Sequence, residues 1–375
     1  MLEGMANAQA YEVRERTGDL IVYTPVCFEH EFESAVAYLV RRLDENTAPG
    51  SFLGALFALE EGTPDWIEQR DAFVKACARA NDPELQEIPN RIQNRRTQEY
   101  DVDTIDQPFK NVADTDFSLP ENRTWANEIV ATWKDRKIEP VPIQFGGKLV
   151  VDDRLTGKGT DPSRPGYDAY RFAQGNADDL AVAIQTAVDA QPAWEELGVK
   201  RRGEILRDVA KVFAEQRGDT VGTMMLDAGK TVIEADVEIS EAIDFANYYS
   251  RALDSQSWFD GTSCDAVGVV AVTPPWNFPY AIPAGGVLAA LMAGNTVILK
   301  PARESVLTAW QLAQQLWQAG VPKEVLQFIP LIDGATGKLL ITDPRVAAVI
   351  LTGSYFTAAM FQEWRPELPL SLIHI

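Results

Sequence analysis

Two polar residues stand where their chemistry could act together. Asn277 lies in the run Thr273-Pro274-Pro275-Trp276-Asn277-Phe278-Pro279-Tyr280, and Lys300 closes the run Thr296-Val297-Ile298-Leu299-Lys300 before Pro301-Ala302. An amide N–H can donate to a developing oxyanion, and an ammonium can hold a polar ligand. The β-branched run Val267 to Val272 reads as a buried strand. Ala281 to Ala293 reads as a helix, with Pro283 in its first turn and Gly294-Asn295 as its stop. Thr296 to Leu299 reads as a second strand, which Pro301 forbids from continuing. In an α/β sheet ligands bind at the carboxyl ends of strands, so Asn277 and Lys300 are expected to face one crevice. Each also has a plainer reading: Asn277 as a turn former between two prolines, Lys300 as a surface lysine at a strand end.

A second group is Arg41, Arg42 and Glu45, within Tyr38-Leu39-Val40-Arg41-Arg42-Leu43-Asp44-Glu45-Asn46. Arg41 and Glu45 are spaced i,i+4, and Arg42 and Glu45 i,i+3, as in surface ion pairs worth a few tenths of a kcal/mol. Two adjacent guanidinium forks can equally clamp a carboxylate bidentately.

Composition narrows the function classes. A net charge of −21 argues against nucleic acid and against an anionic membrane surface. No apolar run is long enough to span a bilayer, and the N-terminus has no apolar signal core. Three distant cysteines, Cys27, Cys77 and Cys264, and two histidines, His30 and His374, give neither a disulfide framework, a metal site nor a Ser-His-Asp triad. With 46% apolar residues in 375, two domains of a reduced, cytoplasmic enzyme are expected.

The elements that position these groups follow in order. Leu20 to Val26 reads as a buried strand, and Glu29 to Asn46 as a helix with an apolar stripe of Phe32, Val36, Leu39 and Leu43. Pro64 opens another amphipathic helix through Trp66, Ile67, Phe73, Val74 and Ala76, which Asn81-Asp82-Pro83 ends. Glu87 to Pro120 reads as a polar connector whose Arg91, Arg95 and Arg96 lie on a solvated face. Helices are predicted over Glu121–Asp135, from an Asn176 cap to Asp189, and over Lys200–Gln216, Asp219–Ala228 and Thr231–Leu253, the last with Ile239, Ile243 and Ala246 inward. Pro142 to Asp152 reads as a strand pair around Gly146-Gly147, and Tyr167 to Ala173, Val325 to Pro330 and Val346 to Leu351 as strands.

Tyr23-Thr24-Pro25-Val26 followed by Tyr38 to Asn46 resembles the end of a proline dehydrogenase, a flavin-dependent (β/α)8 barrel. The resemblance implies that Arg41 and Arg42 hold the proline carboxylate, that Glu45 pairs with them, and that Tyr23 and Tyr38 line the pocket. Only the last βα unit carries it, so FAD belongs to the full-length parent.

Pro275-Trp276-Asn277-Phe278-Pro279, with Ile298-Leu299-Lys300-Pro301-Ala302 after it, resembles the aldehyde dehydrogenase superfamily. That resemblance implies Asn277 as oxyanion donor, Lys300 on the adenosine ribose of NAD, and Thr273, Pro275 and Trp276 along the nucleotide cleft. It also implies Gly334 and Gly337 in Asp333-Gly334-Ala335-Thr336-Gly337, and Gly353-Ser354 opening a helix over the pyrophosphate, where helix N–H groups favour anions. Where the family places a glutamate three residues after the lysine stands Arg303, with Glu304 next, which leaves NAD against NADP open. Phe356 and Ala358 replace a further glutamate and glycine.

The whole reads as an α/β chain resembling the bifunctional proline utilisation A family. The last βα unit of the barrel would fill 1–62, a helical and irregular linker 63–120, and the N-terminal, Rossmann-like NAD-binding part of an aldehyde dehydrogenase domain 121–375. The family oxidises proline to 1-pyrroline-5-carboxylate with FAD, and glutamate γ-semialdehyde to glutamate with NAD. Proline and the semialdehyde are thus the expected small-molecule partners, and a homo-oligomeric parent is left open. Because most of the barrel is lacking, no cysteine matches the nucleophile and the general-base glutamate is missing, this chain is expected to perform neither reaction, and Ser371 to Ile375 is expected not to be native sequence. Two alternatives stand beside this: a piece of a stand-alone aldehyde dehydrogenase of another substrate class, which would not need the Tyr38 to Asn46 clamp, and a non-catalytic binding or scaffold protein.

Overall fold

The computed structural model describes residues 7–20, 27–28, 32–33, 35–37, 40, 60–79, 92–100, 108–253, 264–331 and 334–374. The chain forms two compact units, Met1–Asn90 and Arg91–Ile375. In the first, α1 spans Asn7–Thr17 and α2 spans Pro64–Arg79. The expected strand over Leu20 to Val26 lies outside the described residues apart from its first position. Residues 32–33, 35–37 and 40 are helical, as the 3.6-residue spacing predicts. Of its apolar stripe the described residues Phe32 and Val36 are exposed, as are Phe73 and Val74 of α2. Periodicity identifies an apolar face but not whether anything covers it.

The second unit carries a seven-stranded sheet. Its elements are α3 (Pro120–Trp133), β1 (Ile143–Phe145), β2 (Lys148–Val150), β3 (Gly157–Thr160), β4 (Asp168–Phe172), α4 (Ala177–Glu196), α5 (Gly198–Glu215), α6 (Arg217–Ala228), α7 (Val232–Ala252), β5 (Val269–Thr273), α8 (Ala281–Met292), β6 (Thr296–Leu299), α9 (Val306–Gln318), β7 (Leu326–Phe328), α10 (Gly334–Thr342), β8 (Val346–Gly353), α11 (Tyr355–Trp364) and β9 (Leu370–His374). The strand order is β2-β1-β7-β6-β5-β8-β9. β7, β6, β5, β8 and β9 are parallel, whereas β1 runs antiparallel to both β2 and β7. β5, β6, β7 and β8 are each followed by a helix that returns the chain, as parallel pairing demands. The order reverses between β5 and β8, so the crevice of this doubly wound sheet opens at their carboxyl ends. Buried on both faces, β5 and β6 are continuous apolar runs with no exposed residue. Residues 371–374 complete β9 against β8.

Capping sets where the helices begin. Asn176 accepts from the N–H groups of Asp178 and Asp179 while the Asp179 carboxylate reaches back to its N–H, a capping box, and Thr231 with Glu234 repeats the device at α7. Gly229, in the left-handed region at φ 67°, ends α6. α4 runs on past Asp189 and through Pro192 to Glu196, because Trp194 is buried and its indole N–H donates to the Leu291 carbonyl at 3.0 Å.

Within the second unit, the polar residues 92–100 and 108–119 pack on its helices. The Thr115 N–H and hydroxyl donate to Asp236 at 2.6 and 2.5 Å, the Val112 N–H donates to Asp244 at 2.8 Å, and the Asn247 amide donates to the Tyr100 hydroxyl. Arg95 is not on a solvated face. It donates to the Thr115 hydroxyl and the Ala113 carbonyl, and burial, with help from the neighbouring Arg217 charge, lowers its pKa to about 10. Arg96 does lie at the surface, paired with Glu128. Among the described residues no helix is long and apolar enough to cross a membrane.

Candidate functional site

The carboxyl ends of β5, β6 and β8 border a cleft of about 740 Å³. Its lining includes Thr273, Pro275, Trp276 and Asn277 from the loop after β5, Lys300 and Arg303 after β6, Gly334 and Gly337 of α10, and Gly353 and Ser354 at the β8–α11 junction. These stretches are up to about eighty residues apart in the chain, and the switch in strand order brings them together.

The loop after β5 is anchored from below. Glu238 of α7, 2% exposed, accepts from the N–H groups of Tyr280 at 3.0 Å and Ala281 at 3.2 Å. A carboxylate there satisfies two donors at the start of α8 that have no partner within the helix. Its other oxygen pairs with Lys230 at 3.0 Å, and the Lys230 ammonium lies 4.6 Å from the centre of the Phe278 ring. Burial raises the Glu238 pKa, and the two N–H donors and Lys230 oppose that rise. Asn277 is thus held three residues before the fixed cap of α8, Tyr280. Its side chain makes no hydrogen bond among the described residues, and Oδ1 is buried without a partner. A turn asparagine would bond its own backbone, so the turn reading loses its support. Exchanging the two ends of the amide would put its N–H₂ at the same place.

Lys300 continues the β5–β6 pairing, its N–H donating to the Val272 carbonyl at 3.0 Å. Its ammonium is largely buried, which lowers its pKa against the opposing field of Glu304. It is therefore not a plain surface lysine. Ser354 caps α11, accepting from the Thr357 N–H at 3.3 Å, and its hydroxyl lies 3.1 Å from that of Thr357. The serine shapes the helix start as well as lining the cleft.

A dinucleotide needs close approach to backbone, and α10 offers it. A Cβ built on Gly334 or Gly337 meets no protein atom within 4 Å, so the space beside both is open. Gly337→Ala is therefore expected to raise the melting temperature slightly, since alanine replaces glycine within a helix at a gain of about 1 kcal/mol. It is also expected to weaken dinucleotide binding about tenfold or more by placing a methyl in the cleft. Thermal melts and calorimetric titration of the same variant read both effects, and unchanged affinity would remove Gly337 from the site.

Tyr23, Tyr38, Arg41, Arg42 and Glu45 lie outside the described residues. Cys27, Cys77 and Cys264 are exposed, and none lines the cleft. Among the described residues no cluster of His, Cys, Asp or Glu suits a metal ion. Sequence reasoning missed Glu238 and Lys230, because an acidic residue on an amphipathic helix reads as surface. It also missed Gln174, Phe361 and Trp364, which complete the cleft walls. The glutamate's place two residues after Asp236 and one before the inward Ile239 was the available signal.

Comparisons with known proteins agree with this geometry. The aldehyde dehydrogenase family profile matches residues 156–363, and the proline dehydrogenase profile matches residues 1–55. The 1-pyrroline-5-carboxylate dehydrogenase of Staphylococcus haemolyticus is 32% identical over 266 residues, covering 68% of this chain and 52% of that protein. The bifunctional protein PutA of Salmonella typhimurium is 29% identical over 346 residues, 91% of this chain and 25% of PutA. The crystal structure of 1-pyrroline-5-carboxylate dehydrogenase from Thermus with bound NAD superposes with a TM-score of 0.66 at 25% identity, covering 72% of this chain and 55% of that one. The chain thus spans about half the length of the dehydrogenase relatives it matches. A family match over more than half its residues, with a proline dehydrogenase segment ahead of it, means that the chain belongs to the aldehyde dehydrogenase family in a PutA-like arrangement.

Proposed function

We propose that the Arg91–Ile375 unit is the NAD-binding part of an L-glutamate γ-semialdehyde dehydrogenase, and that the chain derives from a bifunctional proline catabolic enzyme. The observation that carries this reading is the single cleft that gathers Asn277 with Thr273, Pro275, Trp276, Lys300, Gly334, Gly337, Gly353 and Ser354. The open space at Gly334 and Gly337 suits a dinucleotide, and the start of α11 at Ser354 suits its pyrophosphate. Lys300 would hold the adenosine ribose. When bound, the nicotinamide supplies the hydride acceptor. Asn277 would donate its amide N–H to the aldehyde oxygen as negative charge develops there, a contribution of about 3 kcal/mol for one such donor in other acyl-transfer sites. In the parent, Arg41 and Arg42 would clamp the proline carboxylate, Glu45 would pair with them, Tyr23 and Tyr38 would line that pocket, and FAD would be the oxidant. The proline dehydrogenase match at 1–55 supports this part.

The chain itself is proposed to bind the dinucleotide without turning over the aldehyde. None of its three cysteines lines the cleft, so no thiolate is delivered to a carbonyl beside Asn277. Purified chain titrated with NAD⁺ should release heat with a defined stoichiometry, and Lys300→Ala should weaken that binding about tenfold. Incubation with glutamate γ-semialdehyde and NAD⁺ should leave absorbance at 340 nm flat. No binding overturns the cofactor reading, and a steady rise in NADH overturns the inactivity.

A further inference from the structure

Apart from the cleft, the Arg91–Ile375 unit holds a cavity of about 770 Å³ bordered by α3, α5 and α6, and both Arg95 and Arg217 line it. Arg217 is 4% exposed. Its Nη1 donates to the carbonyl and carboxylate of Asp236 and to the Ser240 hydroxyl, while Nη2 is buried without a partner. Arg95, half-buried, donates only to neutral acceptors: the Thr115 hydroxyl at 2.8 Å, the Ala113 carbonyl at 2.6 Å and the Gln98 amide oxygen at 3.3 Å. It makes no ion pair among the described residues. The Arg217 charge opposes its own, and Asp236 and Asp114 act on it only through their fields. Two neighbouring cations thus have one carboxylate in contact, and that carboxylate is also the acceptor for Thr115. A charge taken out of water without a counter-ion in contact is costly, and a bound anion removes that cost. The other charges of the cavity limit what the anion can be. Arg96 is paired with Glu128, and Lys211 lies 3.8 Å from Glu215. Glu99 also lines the cavity, exposed and without an ion pair among the described residues. A doubly charged phosphate would be repelled by Glu99 and Glu215, whereas a single negative charge answers the one guanidinium that lacks a counter-ion in contact. The two oxygens of a carboxylate match the guanidinium fork. Tyr100 and Trp125 make part of the wall aromatic.

We propose that this cavity is a second ligand site, separate from the cleft, and that it takes a small organic monocarboxylate, with the carboxylate on Arg95 and Arg217 and the apolar body against Tyr100 and Trp125. The site does not depend on the reading of the cleft as a dinucleotide site, since no residue lines both.

Calorimetric titration of the full chain with benzoate, with benzyl alcohol as its neutral counterpart, and with inorganic phosphate at pH 8 tests this. Benzoate should bind one-to-one with a Kd of about 1 mM or below, and the alcohol and phosphate at least about tenfold more weakly. Arg95→Gln should weaken benzoate binding at least about tenfold. Glu99→Gln, at an exposed position, should tighten it about threefold by removing a like charge. Saturating NAD⁺ should leave the benzoate affinity unchanged. Melting curves of each variant control for folding. No saturable benzoate binding by the folded wild type would overturn the proposal, as would benzyl alcohol or phosphate binding as tightly. Competition by NAD⁺ would put benzoate in the cleft and remove the second site. Arg95 also holds Thr115 and Ala113, so if Arg95→Gln does not fold, Glu99→Gln decides: an unchanged affinity there would mean that the carboxylate lies elsewhere.

Discussion

Asp236→Ala is expected to lower the unfolding free energy of the Arg91–Ile375 unit by about 3–5 kcal/mol, the usual cost of removing one partner of a buried ion pair. Asp236 is 1% exposed and Arg217 is 4% exposed, with their charged atoms 2.8 Å apart. The same carboxylate accepts from the N–H and hydroxyl of Thr115, and that hydroxyl accepts from Arg95. One aspartate therefore joins α7, α6 and the segment 92–119. Removing it leaves the Arg217 charge and the Thr115 N–H buried without their acceptor, and each such loss adds to the cost. Asp236→Asn keeps an acceptor without the charge and should fall between wild type and alanine. Urea unfolding gives the magnitude. Limited proteolysis gives the place, because cleavage within 92–119 should accelerate first. A loss below about 1 kcal/mol would mean that Arg217 and Thr115 find other acceptors, and that Asp236 does not hold the three elements together.

That network shows where sequence reading stops. β5, β6 and α8 were legible because a β-branched run, a proline and a glycine stop are local signals, and β6 spans Thr296–Leu299 as its residues predict. The cleft was legible because the strand ends carry its residues, although no spacing rule says that α10 and the β8–α11 junction face the same space. The chemistry of buried charge was not legible. Nothing local marks Asp236 or Glu238 as buried, and only tertiary packing shows that each answers a particular donor. Arg95 failed for the same reason: its partners Ala113 and Thr115 are remote in sequence. β3 was missed because Gly157-Lys158-Gly159-Thr160 has poor strand propensity. Its glycines are required across the strand pair, where a Cβ would lie 2.2 Å from the Phe172 ring and 2.0 Å from the Tyr170 ring. The aromatic rings cover what the glycines leave bare.

Glu238→Ala should damage the cleft without touching any residue that lines it. Three groups depend on this carboxylate: the Tyr280 and Ala281 N–H donors and the Lys230 ammonium. Truncation strands two buried donors and a mostly buried cation, so a stability loss of about 3 kcal/mol or more is expected. Part of the loss should fall on the loop itself. Lys230, released, no longer holds its place over Phe278, and the chain from Pro275 to Pro279 loses its anchor at the start of α8. Dinucleotide affinity should therefore fall about tenfold even in conditions where the variant is fully folded, because an ordered loop must be paid for on binding instead of beforehand. Glu238→Gln separates the two roles. It keeps an oxygen for Tyr280 and Ala281 but gives up the ion pair, so it should retain most of the affinity while losing part of the stability. If Gln and Ala weaken binding equally, the charge rather than the helix cap positions the loop. If neither changes binding, Asn277 and its neighbours are held by Pro275 and Pro279 alone, and α7 has no part in the site.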